Sequence, residues 1–462
     1  MTLRRYFGDR SFYRKLLTVA LPILIQIVIT NFVSLLDNIM VGRIGTEQMS
    51  GVAIVNQLLY IFRLCIFGAV SGAGIFTAQF HGKNDTGGVR DTFRAKICIS
   101  AAATVVFIAI FVSFGDRLIS LFLHDGNEGL DLAATLGYGR EYMRIMLIEL
   151  IPFAVSQVYA STLRETGETV LPMASGIAAV VINVVFNYIL IFGKLGAPVL
   201  GVEGAAIATL IARGAECLLV VCWTHLHREK NAFISGAYSS LRIPAPLIKQ
   251  IAVKGTPLLM NELLWACAIA ALNQCYSTRG LEVVSAANIA STVSNLFNCA
   301  YFAMGSSISI IIGQLLGANE LERAVEEDRQ LITASVIICL AVGSVMALCA
   351  RLIPQIYNTS DGVRSLASEM LLILALLMPV NGFVHASYFT LRTGGKTVIT
   401  FLFDSGFIWS VSCTTAFVLS RLTAIPIIPM YACVQGLDII KAVVGFILVR
   451  RRSWVVNLVS DN

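Results

Sequence analysis

Residues 162–170 read TLRETGETV, and residues 390–398 read TLRTGGKTV. A second pair of short motifs, QFHGKN at 79–84 and QLLGAN at 314–319, shares the pattern Gln-x-x-Gly-x-Asn. Two matching motifs in the same order indicate that the chain is a duplication of one ancestral half. In membrane proteins built from two like halves, the functional site is usually at the interface of the halves.

The composition is typical of a membrane protein. Hydrophobic residues make up 56% of the chain and charged residues 13%, whereas soluble domains average about 25% charged residues. A helical span needs about 20 mostly apolar residues, and alternating ten-residue strands are absent from the sequence, which favours helices. The predicted spans are 16–40, 51–79, 97–114, 134–158, 170–192, 200–224, 251–276, 284–313, 331–350, 366–389, 397–419 and 427–449.

This pattern predicts an all-α polytopic membrane protein with twelve transmembrane helices. Because each half contributes six spans, both halves enter the membrane in the same orientation, and we expect two homologous six-helix lobes related by a pseudo-two-fold axis along the membrane normal. The predicted division is an N-terminal lobe at 1–224, a cytoplasmic linker at 225–250, and a C-terminal lobe with a cytoplasmic tail at 251–462.

Lysine and arginine are concentrated in alternate loops and at both ends of the chain. The positive-inside rule then places both termini in the cytoplasm. Since the net charge of +6 is explained by this topology, it does not indicate binding to nucleic acid. We expect a multi-pass protein of the plasma membrane, a monomer whose partners are membrane lipid and small organic substrates.

Several other classes of function are excluded by motif content. The loops are too short for a soluble domain, and no Gly-x-x-x-x-Gly-Lys-Ser/Thr motif is present to bind ATP, so transport must draw on an ion gradient. The eleven cysteines form no Cys-x-x-Cys pair and are interpreted as small apolar packing residues. The five histidines are scattered along the chain. We therefore predict no catalytic residues and no cofactor besides a coupling ion.

Four motifs together resemble the multidrug and toxic compound extrusion (MATE) transporters: the two repeated motifs, LLDNIMVGRIG at 35–45 and GVEGAAIAT at 201–209. The likeness covers nearly the whole chain. It implies an antiporter that expels organic, often cationic, molecules in exchange for sodium ions or protons. An alternative on the same fold is a flippase for lipid-linked sugars or an exporter of an endogenous metabolite. Such proteins generally need a cavity rich in arginine or lysine, whereas the intramembrane polar residues found here are mainly asparagines.

Asp37, in span one, is the leading candidate for ion coupling, because the resembling family carries its coupling aspartate in this motif. Asn183 and Asn187 stand four residues apart on one face of span five, and Thr209 of span six adds a hydroxyl. Carboxylate and amide oxygens suit a sodium ion held at Asp37, Asn183 and Asn187, but sodium and proton coupling both stay open. The counterpart of Asp37 in the second half is Leu272, so this site is predicted in the N-terminal lobe alone.

Five polar residues of the second half are predicted to line a substrate cavity: Glu262, Asn288, Asn295, Asn381 and His385. Some members of the resembling family pair a glutamate of span seven with an aspartate of span ten. The matching position here is Asn381, which weakens the case for a second cation site. Glu262 either neutralises a cationic substrate or forms a hydrogen bond to an asparagine of the same lobe, and both readings stay open.

Other charges within spans are interpreted as structural. Arg213 and Glu216, and likewise Asp438 and Lys441, are three residues apart, a spacing that favours ion pairs on one helical face. Five further charges have no evident partner in the sequence: Arg63, Arg144, Glu149, Lys254 and Asp404.

Overall fold

The computed structural model describes residues 6–123, 131–240, 242–357 and 359–460, and the side chains of residues 33–39 lie outside this description. In the described part, the chain is all-helical with twelve helices long and apolar enough to cross a membrane, which confirms the predicted class. They are α1 (Arg10–Gly42), α2 (Thr46–Gly82), α3 (Thr86–Ser120), α4 (Leu132–Glu165), α5 (Val170–Phe192), α6 (Gly201–Leu226), α7 (Ala245–Ser277), α8 (Leu281–Gly317), α9 (Leu321–Cys349), α10 (Asp361–Thr393), α11 (Thr397–Leu422) and α12 (Ile427–Arg450).

Several helices continue beyond the apolar segments that the sequence predicts. α3 begins at Thr86 rather than at residue 97 and has 35 residues, more than the roughly 20 needed to cross the membrane. Its polar first turns are held by Arg94, which pairs with Asp91 at 3.0 Å. Arg94 also donates to the carbonyl oxygens of Gly236 and Ala237, at 2.8 and 2.9 Å. The segment after α6 therefore docks on this polar extension.

Side-chain caps define where α4 and α10 begin. The carboxylate of Asp131 accepts hydrogen bonds from the backbone N–H groups of Ala133 and Ala134, at 2.9 and 3.0 Å. The hydroxyl of Ser360 accepts one from the N–H of Val363 at 3.3 Å. Such caps satisfy backbone donors that have no partner within the helix, so equivalent helices of the two halves start by the same means.

Burial separates inner helices from outer ones. In α8, 78% of the most apolar stretch is buried inside the protein, against 17% in α3 and in α12. Since apolar side chains on outer helices are stable against lipid, an apolar stretch that is buried by protein marks an inner helix. α8 packs against α9 and α10.

The chain forms two compact units. The C-terminal unit comprises Met1–Leu24, Ala78–Asp85 and Val253–Asn462, and the N-terminal unit comprises Ile25–Thr77 and Thr86–Ala252. Two short segments from the first half of the chain thus belong to the unit that contains the second half.

The two Gln-x-x-Gly-x-Asn motifs pack against each other within the C-terminal unit. A Cβ atom on Gly82 would overlap the backbone carbonyl of Gln314, and one on Gly317 would overlap the carbonyl of Gln79. The asparagine of each motif, Asn84 or Asn319, has a φ of 61°, a left-handed conformation that asparagine tolerates after a helix end. The repeated motif is therefore a reciprocal contact of α2 with α8 that requires glycine on both sides.

Candidate functional site

Three of the predicted coupling residues lie in contact. The amide nitrogen of Asn183 donates to the hydroxyl of Thr209 at 3.2 Å, and the amide nitrogen of Asn187 donates to the Oδ1 atom of Asn183 at 3.1 Å. Asn183 and Asn187 are buried and Thr209 is half-buried. The side chain of Asp37 lies outside the described residues, so its position relative to this chain of hydrogen bonds stays a prediction, as does its role in coupling.

Close packing of α5 on α6 brings these side chains together. Gly204, in the first turn of α6, lies against the backbone of Leu190, and a Cβ atom there would meet the Leu190 carbonyl group at 2.7 Å. Small residues at such crossings let two membrane helices approach closely enough for their polar side chains to bond. The pairing of α5 with α6 thus places Asn183 within reach of Thr209.

The hydrogen-bonded trio opens onto a cavity of about 630 Å³ within the N-terminal unit. We call it the N-terminal cavity. Its wall is formed by α1, α2, α4, α5 and α6, and polar side chains are numerous. They are Gln26, Thr30, Asn31, Asn56, Gln57, Tyr60, Arg63, Tyr142, Gln157, Asn183, Asn187, Thr209, Arg213 and Glu216.

Four charged residues meet at this cavity and form what we call the arginine cluster: Arg63 of α2, Glu149 of α4, and Arg213 and Glu216 of α6. Arg213 pairs with Glu216 at 2.7 Å, as the sequence predicted. The Oε1 atom of Glu149 lies 3.5 Å from Nε of Arg213 and 3.7 Å from Nη2 of Arg63. The ring of Phe153 lies 5.6 and 5.7 Å from the two guanidinium carbons, a distance typical of cation–π contact.

No partner for Arg63 or Glu149 is evident in the sequence. The one available signal was energetic, because charges within a membrane span tend to be paired. Which charges pair across three different helices depends on how each helix is rotated, and spacing along a single helix does not reveal it.

The predicted second-half cavity residues lie on three helices of the C-terminal unit. His385 of α10 stacks on Tyr301 of α8, with ring centroids 4.2 Å apart and planes inclined by 15°. Asn381 and Glu262 are half-buried. Asn288 and Asn295, both of α8, are exposed. The role of these residues in binding a substrate stays a prediction.

A polar network that was not predicted joins α7, α11 and α12. Asn261 donates to Oδ2 of Asp404 at 2.9 Å, and the Ser405 hydroxyl donates to Oδ1 of Asn261 at 2.8 Å. Lys441 pairs with Asp404 at 2.5 Å. The expected pair of Lys441 with Asp438 was therefore wrong, because the lysine points toward α11 rather than along its own helix.

The network coincides with an irregular part of α11. Two segments of α11 have π-helical hydrogen bonding: Leu402–Gly406 and Ile408–Cys413. Such hydrogen bonding is rare in proteins as a whole, but where it occurs it is often at a functional site. The sequence of this segment predicted an ordinary span, because its apolar run gives no sign of π-helical hydrogen bonding.

Other kinds of site find no support in the described part of the chain. None of the eleven cysteines forms a disulfide there, and the histidine, cysteine and acidic residues form no group of three or more suited to a metal ion.

Comparisons with known proteins point to one family. The MatE family model matches residues 22–189 and 257–405. The probable multidrug resistance protein NorM of Thermotoga maritima is 23% identical over 411 residues, which cover 88% of this chain and 86% of that protein. The probable multidrug resistance protein YoeA of Bacillus subtilis is 22% identical over 426 residues, which cover 91% and 90%.

Solved structures share the fold. A structure described as the outward-facing conformation of a multidrug resistance MATE family transporter has a TM-score of 0.86 at 19% identity, and the match covers 98% of both chains. A mutant of the MATE transporter VcmN from Vibrio cholerae has a TM-score of 0.83 at 18% identity, covering 96% of this chain and 97% of that one.

The fold and the polar cavity define a multi-pass membrane transporter. With more than two thirds of its length matched by the family model, the chain belongs to the MatE (MATE) family. Proteins of this family are secondary transporters rather than enzymes, bind small molecules and are structurally monomeric.

Proposed function

We propose that this protein is a secondary antiporter that exports small organic molecules, cations among them, in exchange for sodium ions or protons by alternating access. The observation that carries the proposal is the N-terminal cavity, where Asn183, Asn187 and Thr209 form one hydrogen-bonded group. Membrane-embedded polar groups that face a cavity are common along ion and substrate pathways. The names of the relatives NorM and YoeA, both multidrug resistance proteins, support the substrate class.

Ion coupling is assigned to Asp37 together with Asn183, Asn187 and Thr209. The amide and hydroxyl oxygens are hard ligands of the kind that alkali and alkaline-earth cations prefer. The carboxylate assigned to this group, that of Asp37, supplies the charge that a sodium ion or a proton neutralises. The same group therefore supports either coupling ion.

The orientation assigned to the protein places both termini in the cytoplasm and the chain in the plasma membrane. Support comes from the basic residues in the loops and ends that this orientation makes cytoplasmic. Export from the cell then means movement away from the side that carries the termini.

A second candidate function is export of an endogenous metabolite or flipping of a lipid-linked sugar. The scarcity of arginine and lysine among the intramembrane polar residues disfavours this second function. The structure supplies one observation in its favour, since Arg63 and Arg213 both line the N-terminal cavity.

The proposal is tested by efflux measurements in cells that lack their major pumps. Cells that express the protein are loaded with ethidium, and its efflux is followed with sodium replaced by choline at fixed pH, and then with the proton gradient dissipated. We expect efflux to need one of the two gradients and to be lost in Asp37→Asn. A matched control is Asp361→Asn, because the Asp361 side chain is 97% exposed at the start of α10.

Two results would contradict the proposal. Accumulation that is unchanged for every tested compound, with normal expression, argues against multidrug export and in favour of the second candidate. Normal gradient-dependent transport by Asp37→Asn shows that the coupling site lies elsewhere, even though the family assignment holds.

A further inference from the structure

The arginine cluster exposes its two positive charges more than its two negative ones, and of the two acids only Glu216 lines the N-terminal cavity. The side chains of Arg63 and Arg213 are 30% and 25% exposed, whereas those of Glu149 and Glu216 are 0% and 6% exposed. All four groups sum to no net charge, yet a molecule in the cavity meets guanidinium groups first. Glu149 is fully buried behind them, and Glu216 pairs with Arg213 at the cavity wall.

Arg63 retains hydrogen-bonding capacity. Its nearest approach to Glu149, 3.7 Å, is longer than a hydrogen bond, and its Nε atom is buried without a hydrogen-bond acceptor in the described structure. The two carboxylate oxygens of Glu149 likewise accept no hydrogen bond there. A buried N–H donor without an acceptor is costly, so the residues around Arg63 satisfy its guanidinium group only in part.

The surroundings of the two arginines favour a flat organic anion. The Phe153 ring lies 5.6 and 5.7 Å from the two guanidinium carbons, so an apolar aromatic surface adjoins both charges. A guanidinium edge is matched in geometry by a carboxylate, which it binds through two parallel hydrogen bonds. Tyr60 and Tyr142 also line the cavity and offer ring surfaces to an aromatic ligand.

We propose that the N-terminal cavity binds the carboxylate group of a transported molecule through Arg63 and Arg213. The substrate class is small organic acids and zwitterions, with the flat apolar part of the molecule near Phe153 and the tyrosines. A monoanion fits better than a phosphate dianion, because the two arginines are already balanced by two acids. This assignment names a substrate class for the proposed antiporter and rests on that proposal.

A matched pair of dyes tests the assignment. Rhodamine 110 carries a free carboxylate, and rhodamine 123 is its methyl ester and a cation. Binding of each dye to the purified full-length protein in lipid nanodiscs is measured by fluorescence anisotropy without an ion gradient. We expect Arg63→Gln to raise the Kd of rhodamine 110 by about tenfold. The Kd of rhodamine 123 should stay the same or fall, since a positive charge has been removed.

Removing Arg63 alone leaves Glu149 with one partner fewer, which risks misfolding. The double variant Arg63→Gln/Glu149→Gln keeps the cluster neutral and should show the same selective loss of rhodamine 110. Arg63→Lys keeps the charge but loses the planar fork, and we expect it to restore part of the binding. Thermal unfolding of each variant verifies that the compared proteins are folded.

Three outcomes overturn the assignment. They are absence of rhodamine 110 binding to the wild-type protein, unchanged binding in the folded double variant, and equal loss of both dyes, which is the result expected if the cluster only joins helices. Failure of the antiporter proposal is distinguishable. In that case rhodamine 110 still binds through Arg63, but neither dye moves in response to a sodium or proton gradient.

Discussion

The Nζ atom of Lys441 on α12 lies 2.5 Å from Oδ1 of Asp404 on α11. Both side chains are largely buried, with 9% and 16% exposed, and the other carboxylate oxygen of Asp404 accepts a hydrogen bond from Asn261 of α7. Three helices of the C-terminal unit therefore meet at one carboxylate, which is located in the first π-helical segment of α11.

Replacing only the lysine of this pair should destabilise the protein. Lys441→Gln leaves Asp404 as a buried charge without its cation, a change that costs about 3–5 kcal/mol in proteins where it has been measured. Thermal unfolding of the purified protein in detergent should show a clear fall in Tm. The double variant Asp404→Asn/Lys441→Gln should recover most of it, and a double variant as unstable as the single one would contradict this reading.

The reciprocal contact of α2 with α8 leaves no room for a side chain at Gly82 or Gly317. Gly82→Ala and Gly317→Ala each place a methyl group onto a backbone carbonyl, and overpacking of this kind costs about 1–3 kcal/mol. Gly137→Ala is the matched control, because a Cβ atom there meets nothing within 4 Å. We expect lower Tm for the first two variants and an equal or higher Tm for the control. Equal Tm values for all three variants would show that the close contact of α2 with α8 does not contribute to stability.

The hydroxyl of Thr209 should matter for transport rather than for folding. Thr209→Val keeps the side-chain shape but removes the group to which Asn183 donates, and we expect ion-dependent efflux to fall by about tenfold. Thr333→Val is a suitable control, because both hydroxyls donate to the carbonyl four residues earlier in their helix. If both variants transport alike, the hydroxyl at position 209 has no part in coupling.

The segment after α12 should contribute to stability. Trp454 is 1% exposed and donates to the carbonyl of Val449 at 3.0 Å, while Gln79 of α2 accepts a hydrogen bond from the N–H of Leu458 at 2.7 Å. Trp454→Ala should cost about 3–5 kcal/mol, which thermal unfolding detects. Trp409→Ala, at a side chain that is 39% exposed, should lower the stability by less. A larger loss for Trp409→Ala than for Trp454→Ala would show that the segment after α12 is not packed against the rest of the protein.

Much of the fold was predictable from local sequence. Long apolar runs identify the spans because the bilayer requires each backbone polar group to be satisfied within its own helix. Helix ends were harder to predict, as α3 shows, because polar turns such as that around Arg94 continue a helix beyond the membrane. The π-helical part of α11 lies in an unremarkable apolar run and was not predicted.

The candidate site was predictable only where its residues share a helix or a family motif. Asn183 and Asn187 are four apart on α5, and Arg213 and Glu216 are three apart on α6, so their proximity follows from helix geometry. Asp37 was identified by the resemblance to the family, and its function stays a prediction.

The sequence by itself determined the membrane environment, the number of helices, the duplication and the family, because these follow from composition, local periodicity and repeated motifs. Only the tertiary structure decided which polar groups meet: Arg63 with Glu149, and Lys441 with Asp404 rather than with Asp438. The physical reason is that contacts between helices depend on how each helix is rotated and shifted against its neighbours. That arrangement is set by packing over the whole unit, and no short stretch of sequence contains it.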